Sequence, residues 1–221
     1  MRYLFTFSRY LFLLVFCIDV RGEESVGVDF NAQYQKGMKY MYGDGVERDP
    51  VKAVKLFKIA AANGNANAQV GLANAYFRGD GVAQSYKEAA KWFRKGADKG
   101  DKESQTQLAF LYAKGLGLNK SEGQAVYWWQ KASLQGHKVA QAHLGIRYAT
   151  GIGVLKNTVT AVKWWRLSAE QGNKLAQYNL GVMCARGQGV EKNVDEALKW
   201  YRKAAAQGHQ GARQALQRLK F

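Results

Sequence analysis

Two loops in this chain read Gly-Asp-Gly-Val, at Gly43–Val46 and at Gly79–Val82. An aspartate between glycines could cradle a phosphate or hold a calcium ion. The six tryptophans, Trp92, Trp128, Trp129, Trp164, Trp165 and Trp200, could stack as a platform for sugar rings. His137, His143 and His209 could bind a metal, and Cys184 could pair with a thiol of another molecule. No Gly-x-Ser-x-Gly, His-Glu-x-x-His or Ser-x-x-Lys motif accompanies them.

The elements that carry these residues decide among the readings. The two loops are 36 residues apart, and a shift of 36 aligns nearly everything after residue 31. Repeats run over 32–67, 68–103, 104–139, 140–175 and 176–211, and a partial sixth copy fills 212–221. A fixed period of this size marks a solenoid. Gly43, Gly79, Gly115, Gly151 and Gly187 share one column, and Gly45, Gly81, Gly117, Gly153 and Gly189 share another. The residue between them does not repeat, since Asp44 and Asp80 give way to Leu116, Ile152 and Gln188. Leucine cannot replace a metal ligand, so the loop is a turn that uses glycine's backbone freedom.

That turn joins two helices. The first spans about 11 residues and keeps Ala, Leu and Tyr on one face at steps of four, as in Ala68, Leu72 and Tyr76. The second opens at Asp49, Ser85, Ser121, Asn157 and Asn193, all favoured N-cap residues. Glu88, Gln124 and Glu196 stand three positions on, the spacing of a capping box, and Pro50 follows Asp49 where a helix tolerates it. Gly64, Gly100, Gly136, Gly172 and Gly208 close the second helix. Lys36 replaces the column's leucine in copy one, as expected of a face with no neighbour, and the polar last copy is expected to be a capping helix.

The candidate chemistry then thins out. The tryptophans occupy two columns in which copy one has Leu56 and Phe57, so the position requires bulk and reads as core. His137 and His209 follow the closing glycine and read as loop residues. Cys184 stands in a tyrosine column and reads as a buried thiol. No catalytic residue, metal or cofactor is expected. Asn119–Ser121 forms a glycosylation sequon, but Ser121 belongs to the cap column.

The first 22 residues differ from the rest. Arg2 and Arg9 precede an apolar run, Leu11–Ile18, with Gly22 at a plausible cut, which reads as a secretory signal peptide with residues 23–31 as a lead-in. The run is too short to cross a bilayer, which takes about 20 residues. The whole chain carries a net charge of +16, and removing residues 1–22 with three basic residues and one acidic residue leaves +14. A single remaining cysteine rules out a disulfide framework.

The pattern AQxxLGxxYxxGxGVxxNxxxAxxWWxxAAxQG resembles the Sel1-like repeat, a relative of the tetratricopeptide repeat. The resemblance implies an all-α, right-handed α/α solenoid of five helix-turn-helix repeats plus a C-terminal capping helix. It implies an adaptor or scaffold that binds another protein on its concave surface, and in exported bacterial members a tie to envelope functions or host interaction. One branch, the Helicobacter cysteine-rich proteins, is associated with β-lactam binding and hydrolysis; its cysteine pair in each repeat is missing here. By analogy with tetratricopeptide solenoids, the variable stripe of the first helices lines the groove. That places Tyr34, Met38, Lys39, Tyr42, Asn74, Arg78, Phe110, Lys114, His143, Arg147, Asn179 and Arg186 as partner-binding residues. The column Tyr42, Arg78, Lys114, Thr150 and Arg186 is a basic ladder without an acidic member, suited to an extended acidic peptide. The alternative partner is an anionic glycan or membrane surface, and nucleic acid is not expected of an exported chain. The protein is expected to be a monomer, periplasmic or secreted, with a bacterial source preferred over a eukaryotic secretory lumen.

Overall fold

The computed structural model describes residues 29–218, so the expected signal peptide lies outside the described residues, as does most of the expected lead-in. The described chain is all helical, with eleven helices and no strands. Each repeat contributes a pair: α1 (Phe30–Tyr42) and α2 (Pro50–Ala62), α3 (Ala66–Arg78) and α4 (Tyr86–Asp98), α5 (Lys102–Lys114) and α6 (Glu122–Leu134). The series continues with α7 (Lys138–Thr150) and α8 (Thr158–Glu170), α9 (Lys174–Arg186) and α10 (Val194–Ala206), and closes on α11 (Gln210–Arg218). Each helix packs against the next, which makes the α/α solenoid.

The first helices are 13 residues long rather than about 11, because each begins two positions before the repeat's alanine. The two extra residues follow a cap at a position that reads as loop in the sequence. Asn65, Asp101, His137 and Asn173 each accept a backbone N–H three residues on, and His209 does the same for α11. His137 and His209 are therefore N-caps, with the imidazole Nδ1 as acceptor.

The caps of the second helices form as expected on one side only. Ser85 Oγ accepts the Glu88 N–H at 3.3 Å, and Asn193 Oδ1 accepts the Glu196 N–H at 2.8 Å. The reciprocal half of the capping box is not made. The N-cap N–H instead donates to the tyrosine-column carbonyl of the preceding helix, as Ser85 does to Tyr76 at 2.9 Å. This bond closes each Gly-x-Gly turn from its far side.

The two loop glycines do different work. Gly115 ends α5 in the left-handed region at φ 69°. Gly117 also has positive φ, but its Cα faces the previous repeat: a Cβ there would lie 2.3 Å from the Tyr86 carbonyl carbon and 2.4 Å from the Lys87 nitrogen. Gly45, in the first copy, has no described atom within 4 Å of the same position.

Leu72, Leu108, Leu144 and Leu180 are buried between helices, whereas Lys36 in the first copy is exposed. A second column, which the sequence reading left without a role, runs through the core as amides. Gln105 Nε2 donates to the Ala97 carbonyl at 3.2 Å while its Oε1 accepts from Gln135 at 2.8 Å. Gln141 and Gln177 repeat the arrangement with Gln171 and Gln207. Each amide bonds the end of one second helix and the side chain of the next, so these three buried amides are satisfied at both their nitrogen and their oxygen.

His209 makes the last joint sensitive to acid. Its ring stacks on Tyr178 at 4.4 Å, and burial, with nearby Lys174, holds its pKa below the ordinary 6.5. The neutral ring caps α11, and a protonated ring has no lone pair for the Ala212 N–H. The capping stability is therefore complete above pH 6.5 and is lost as the pH falls through the lowered folded value. Amide exchange at Ala212 and Arg213 is expected to quicken about fivefold on moving from pH 7.5 to acid, after correction for intrinsic rates, for a cap of about 1 kcal/mol. His209→Asn, the residue type of the equivalent Asn65 and Asn173, should keep the protection and abolish that pH dependence. Equal acid sensitivity in both proteins would refute the capping role.

Candidate functional site

The groove face is built from the first helices. A pocket of about 450 Å³ opens between α1 and α3 and reaches the start of α5. Tyr34, Met38, Tyr42, Asn74 and Arg78, expected from the sequence as partner-binding, all line it. Met41 and Phe57 complete an apolar floor, with Tyr34 tilted on the Phe57 ring at 5.6 Å. Gly37 lets α1 approach that ring, since a Cβ there would sit 2.6 Å from it.

The pocket also holds charges that the ladder did not foresee. Asp80, Asp101, Glu103 and Arg48 belong to its lining. Their signal was faint in the sequence, because Asp101 reads as a loop residue and Glu103 stands one position before the repeat's nominal start. Asp101 caps α5, and Arg48 Nε donates to the Met41 carbonyl at 3.1 Å. Glu103 accepts from His137 Nε2 at 2.9 Å, a bond that holds its carboxyl below the usual range.

Farther along, where α6 packs on α7, Lys114 and Arg147 lie close enough to His143 to act on its ring. His143 stacks on Trp129 at 4.9 Å, and burial, then Arg147 and Lys114, lower its pKa. Arg147 lies 5.0 Å over the same indole and 3.1 Å from Glu122 in an ion pair without hydrogen-bond geometry. This arginine ties α7 to α6, and its side chain is largely covered. Phe110 packs edge-on against Phe77 at 6.3 Å. Asn179 is half-buried on α9, while Lys39 and Arg186 are exposed and stand apart from the pocket. Arg78, Lys114 and Arg186 each end a helix, where the backbone dipole favours a cation.

Other groups with catalytic types are spoken for. Thr106, His137 and Glu103 line up like a nucleophile, base and acid. Thr106 is buried, however, and its hydroxyl donates to the Lys102 carbonyl at 2.8 Å while His137 serves as a cap. Cys184 is fully buried, and burial pushes its thiol up to about 11. Its missing tyrosine ring has a consequence: Arg94 contacts the Tyr112 ring, whereas Arg166, two repeats on in the same column, pairs with Glu196 at 2.6 Å. Among the described residues no group of His, Cys, Asp or Glu side chains could hold a metal ion. No helix among them is long and apolar enough to cross a membrane.

The Sel1 repeat family matches the chain at residues 31–65, 66–101, 102–137, 138–173 and 174–209. The chain belongs to the Sel1 repeat family. This Sel1 repeat protein is similar to a protective antigen present in uropathogenic Escherichia coli strains, a structure displaying an SLR fold. The match has 36% identity and a TM-score of 0.81, and covers 86% of this chain and 41% of the antigen. The Sel1 repeat protein thus spans about two-fifths of that relative's length. A Sel1 repeat protein from Oxalobacter formigenes matches at 32% identity and a TM-score of 0.80, over 85% of this chain and 75% of the other. The immunity protein Pa5087 from Pseudomonas aeruginosa shares the fold at 22% identity and a TM-score of 0.54, over 86% and 70% of the two chains. No curated protein matches. Sel1 repeat proteins are typically protein–protein interaction scaffolds.

Proposed function

We propose that this Sel1 repeat protein is an exported, non-catalytic adaptor that holds a protein partner in its first-helix groove. The observation that carries the reading is the pocket between α1 and α3. It joins an apolar floor to charged rims, and exposes Tyr42 at 66% in a position where burial against a partner would be favourable. Its volume falls within the range of about 300–1,000 Å³ found for ligand sites. The basic n-region and short apolar run at the N-terminus support export. The resemblance to an antigen of a pathogenic bacterium supports a bacterial envelope or host-facing role.

The test is a crosslinking pull-down that compares the wild type with two folded variants, Met38→Ala/Tyr42→Ala and Arg78→Glu/Lys114→Glu/Arg186→Glu. A groove partner is expected to be captured by the wild type and reduced at least tenfold by the first variant, the scale of one hot-spot contact of about 1.4 kcal/mol or more. Equal capture by all three would move binding to another face.

A second reading rests on the second helices, where Lys55, Lys91, Lys163 and Lys199 repeat in one exposed column. Such a row suits an anionic polymer or headgroup surface. Binding of that kind weakens steeply with salt, while a groove with aromatic anchors weakens less.

A further inference from the structure

We infer that the pocket between α1 and α3 takes a dipolar peptide segment laid across the groove, with a basic residue at one end, apolar residues in the middle and an acidic residue at the other. The inference rests on the groove reading above and replaces the uniformly acidic peptide that the ladder alone implied.

Its basis is the separation of charge along the helices. Successive first helices run in the same direction, because an antiparallel second helix lies between them. Asp101 and Glu103 sit where α5 begins, and Arg78 sits where α3 ends, with Arg48 and Asp80 in the neighbouring loops. One edge of the pocket therefore carries two carboxylates, and the other carries two guanidinium groups against one carboxylate. The apolar floor of Met38, Met41 and Phe57 lies between. Arg78 and Asp80 make no ion pair among the described residues, so each can face a ligand. Glu103 stays ionised because His137 donates to it.

The dimensions set the length of the ligand. A helix of 13 residues puts the two edges about 20 Å apart at 1.5 Å per residue. An extended peptide covers that distance in about six residues at 3.3–3.6 Å each. Opposite charges near its two ends would meet their complements while the centre buries on the floor. A peptide with acidic residues at both ends would face Asp101 and Glu103 with a like charge, which complementary interfaces avoid.

The experiment uses four six-residue peptides, acetylated and amidated, with a Leu-Phe centre flanked by Ser. Their ends carry Lys and Glu, Glu and Lys, Lys and Lys, or Glu and Glu. Fluorescence anisotropy at 150 mM salt is expected to show at least one opposite-ended peptide binding tenfold or more tightly than both like-ended ones. Arg78→Glu should weaken that peptide about tenfold. The Lys-and-Lys peptide should then regain affinity for the Arg78→Glu variant, because the altered edge now accepts a cation. Preference for Glu at both ends would overturn the inference in favour of the acidic-peptide ladder. Equal binding of all four peptides, or binding of none, would also overturn it. The pull-down separates the two claims: if its partner is still lost from Met38→Ala/Tyr42→Ala while no peptide binds, the dipolar ligand fails and the groove stands.

Discussion

Gly117→Ala is expected to destabilise the solenoid by about 2–6 kcal/mol, far more than an alanine methyl on a surface loop would ordinarily cost. Two terms add. The residue has φ 67°, which an alanine adopts only with strain of about 1–3 kcal/mol. The new Cβ would also fall 2.3 Å from backbone of Tyr86 and 2.4 Å from that of Lys87, and neither can move without disturbing the start of α4. Overpacking of this kind costs about 1–3 kcal/mol more. Gly45→Ala separates the terms. It shares the conformation, at φ 69°, but a Cβ there would have no described atom within 4 Å, so only the strain should appear. Urea denaturation of both variants checks this, with the midpoint of Gly117→Ala well below that of Gly45→Ala. Matching midpoints would mean that the second glycine is selected for its conformation alone and that the repeats do not depend on the close approach.

Trp165→Ala is the second large effect, at about 3–5 kcal/mol of lost stability. Trp165 is 3% exposed and fills the space left by Gly145, where an added Cβ would lie 2.5 Å from the indole nitrogen. Its N–H donates to the Ala142 carbonyl at 3.1 Å. Removing the indole opens a cavity between α7 and α8 and takes that hydrogen bond with it. Thermal unfolding monitored by circular dichroism should show a clear fall in midpoint. Gly145→Ala should also destabilise, from the opposite cause, because the pair is matched in size. A fully stable Trp165→Ala protein would reopen the reading of the tryptophan columns as an exposed platform. With Trp129 at 1% and Trp165 at 3% exposure, no sugar ring could stack on either without unpacking the core.

Much of this architecture was legible in the sequence, and the reason is repetition. Each column of the repeat meets the same environment several times, so a residue that changes freely, such as Asp44 becoming Leu116, excludes a ligand role without any structure. The cap column from Asp49 to Asn193, the glycine stops and the bulky core columns were readable because local backbone chemistry dictates them. The caps of the first helices were not, because histidine is an uncommon cap and the alanine that marks each repeat lies inside the helix. The capping box misled for a tertiary reason: the N-cap N–H finds the carbonyl of the preceding helix instead of the side chain three residues on.

The candidate site divides along the same line. Periodicity alone put Tyr34, Met38, Tyr42, Asn74 and Arg78 on one stripe, and the pocket gathers them. Spacing could not reveal that Arg147 is spent on Glu122 and Trp129, or that Asp101 and Glu103 at the start of α5 close the pocket. Those contacts join residues of different repeats.

From the sequence alone came the period, the helix pairs, their caps and the face that varies, because each follows from interactions within a few residues or from a column repeated five times. The tertiary structure decided which charges meet. Three-dimensional stacking brings the start of one helix beside the end of another, and that juxtaposition turned a basic ladder into a pocket with a negative edge and a positive one.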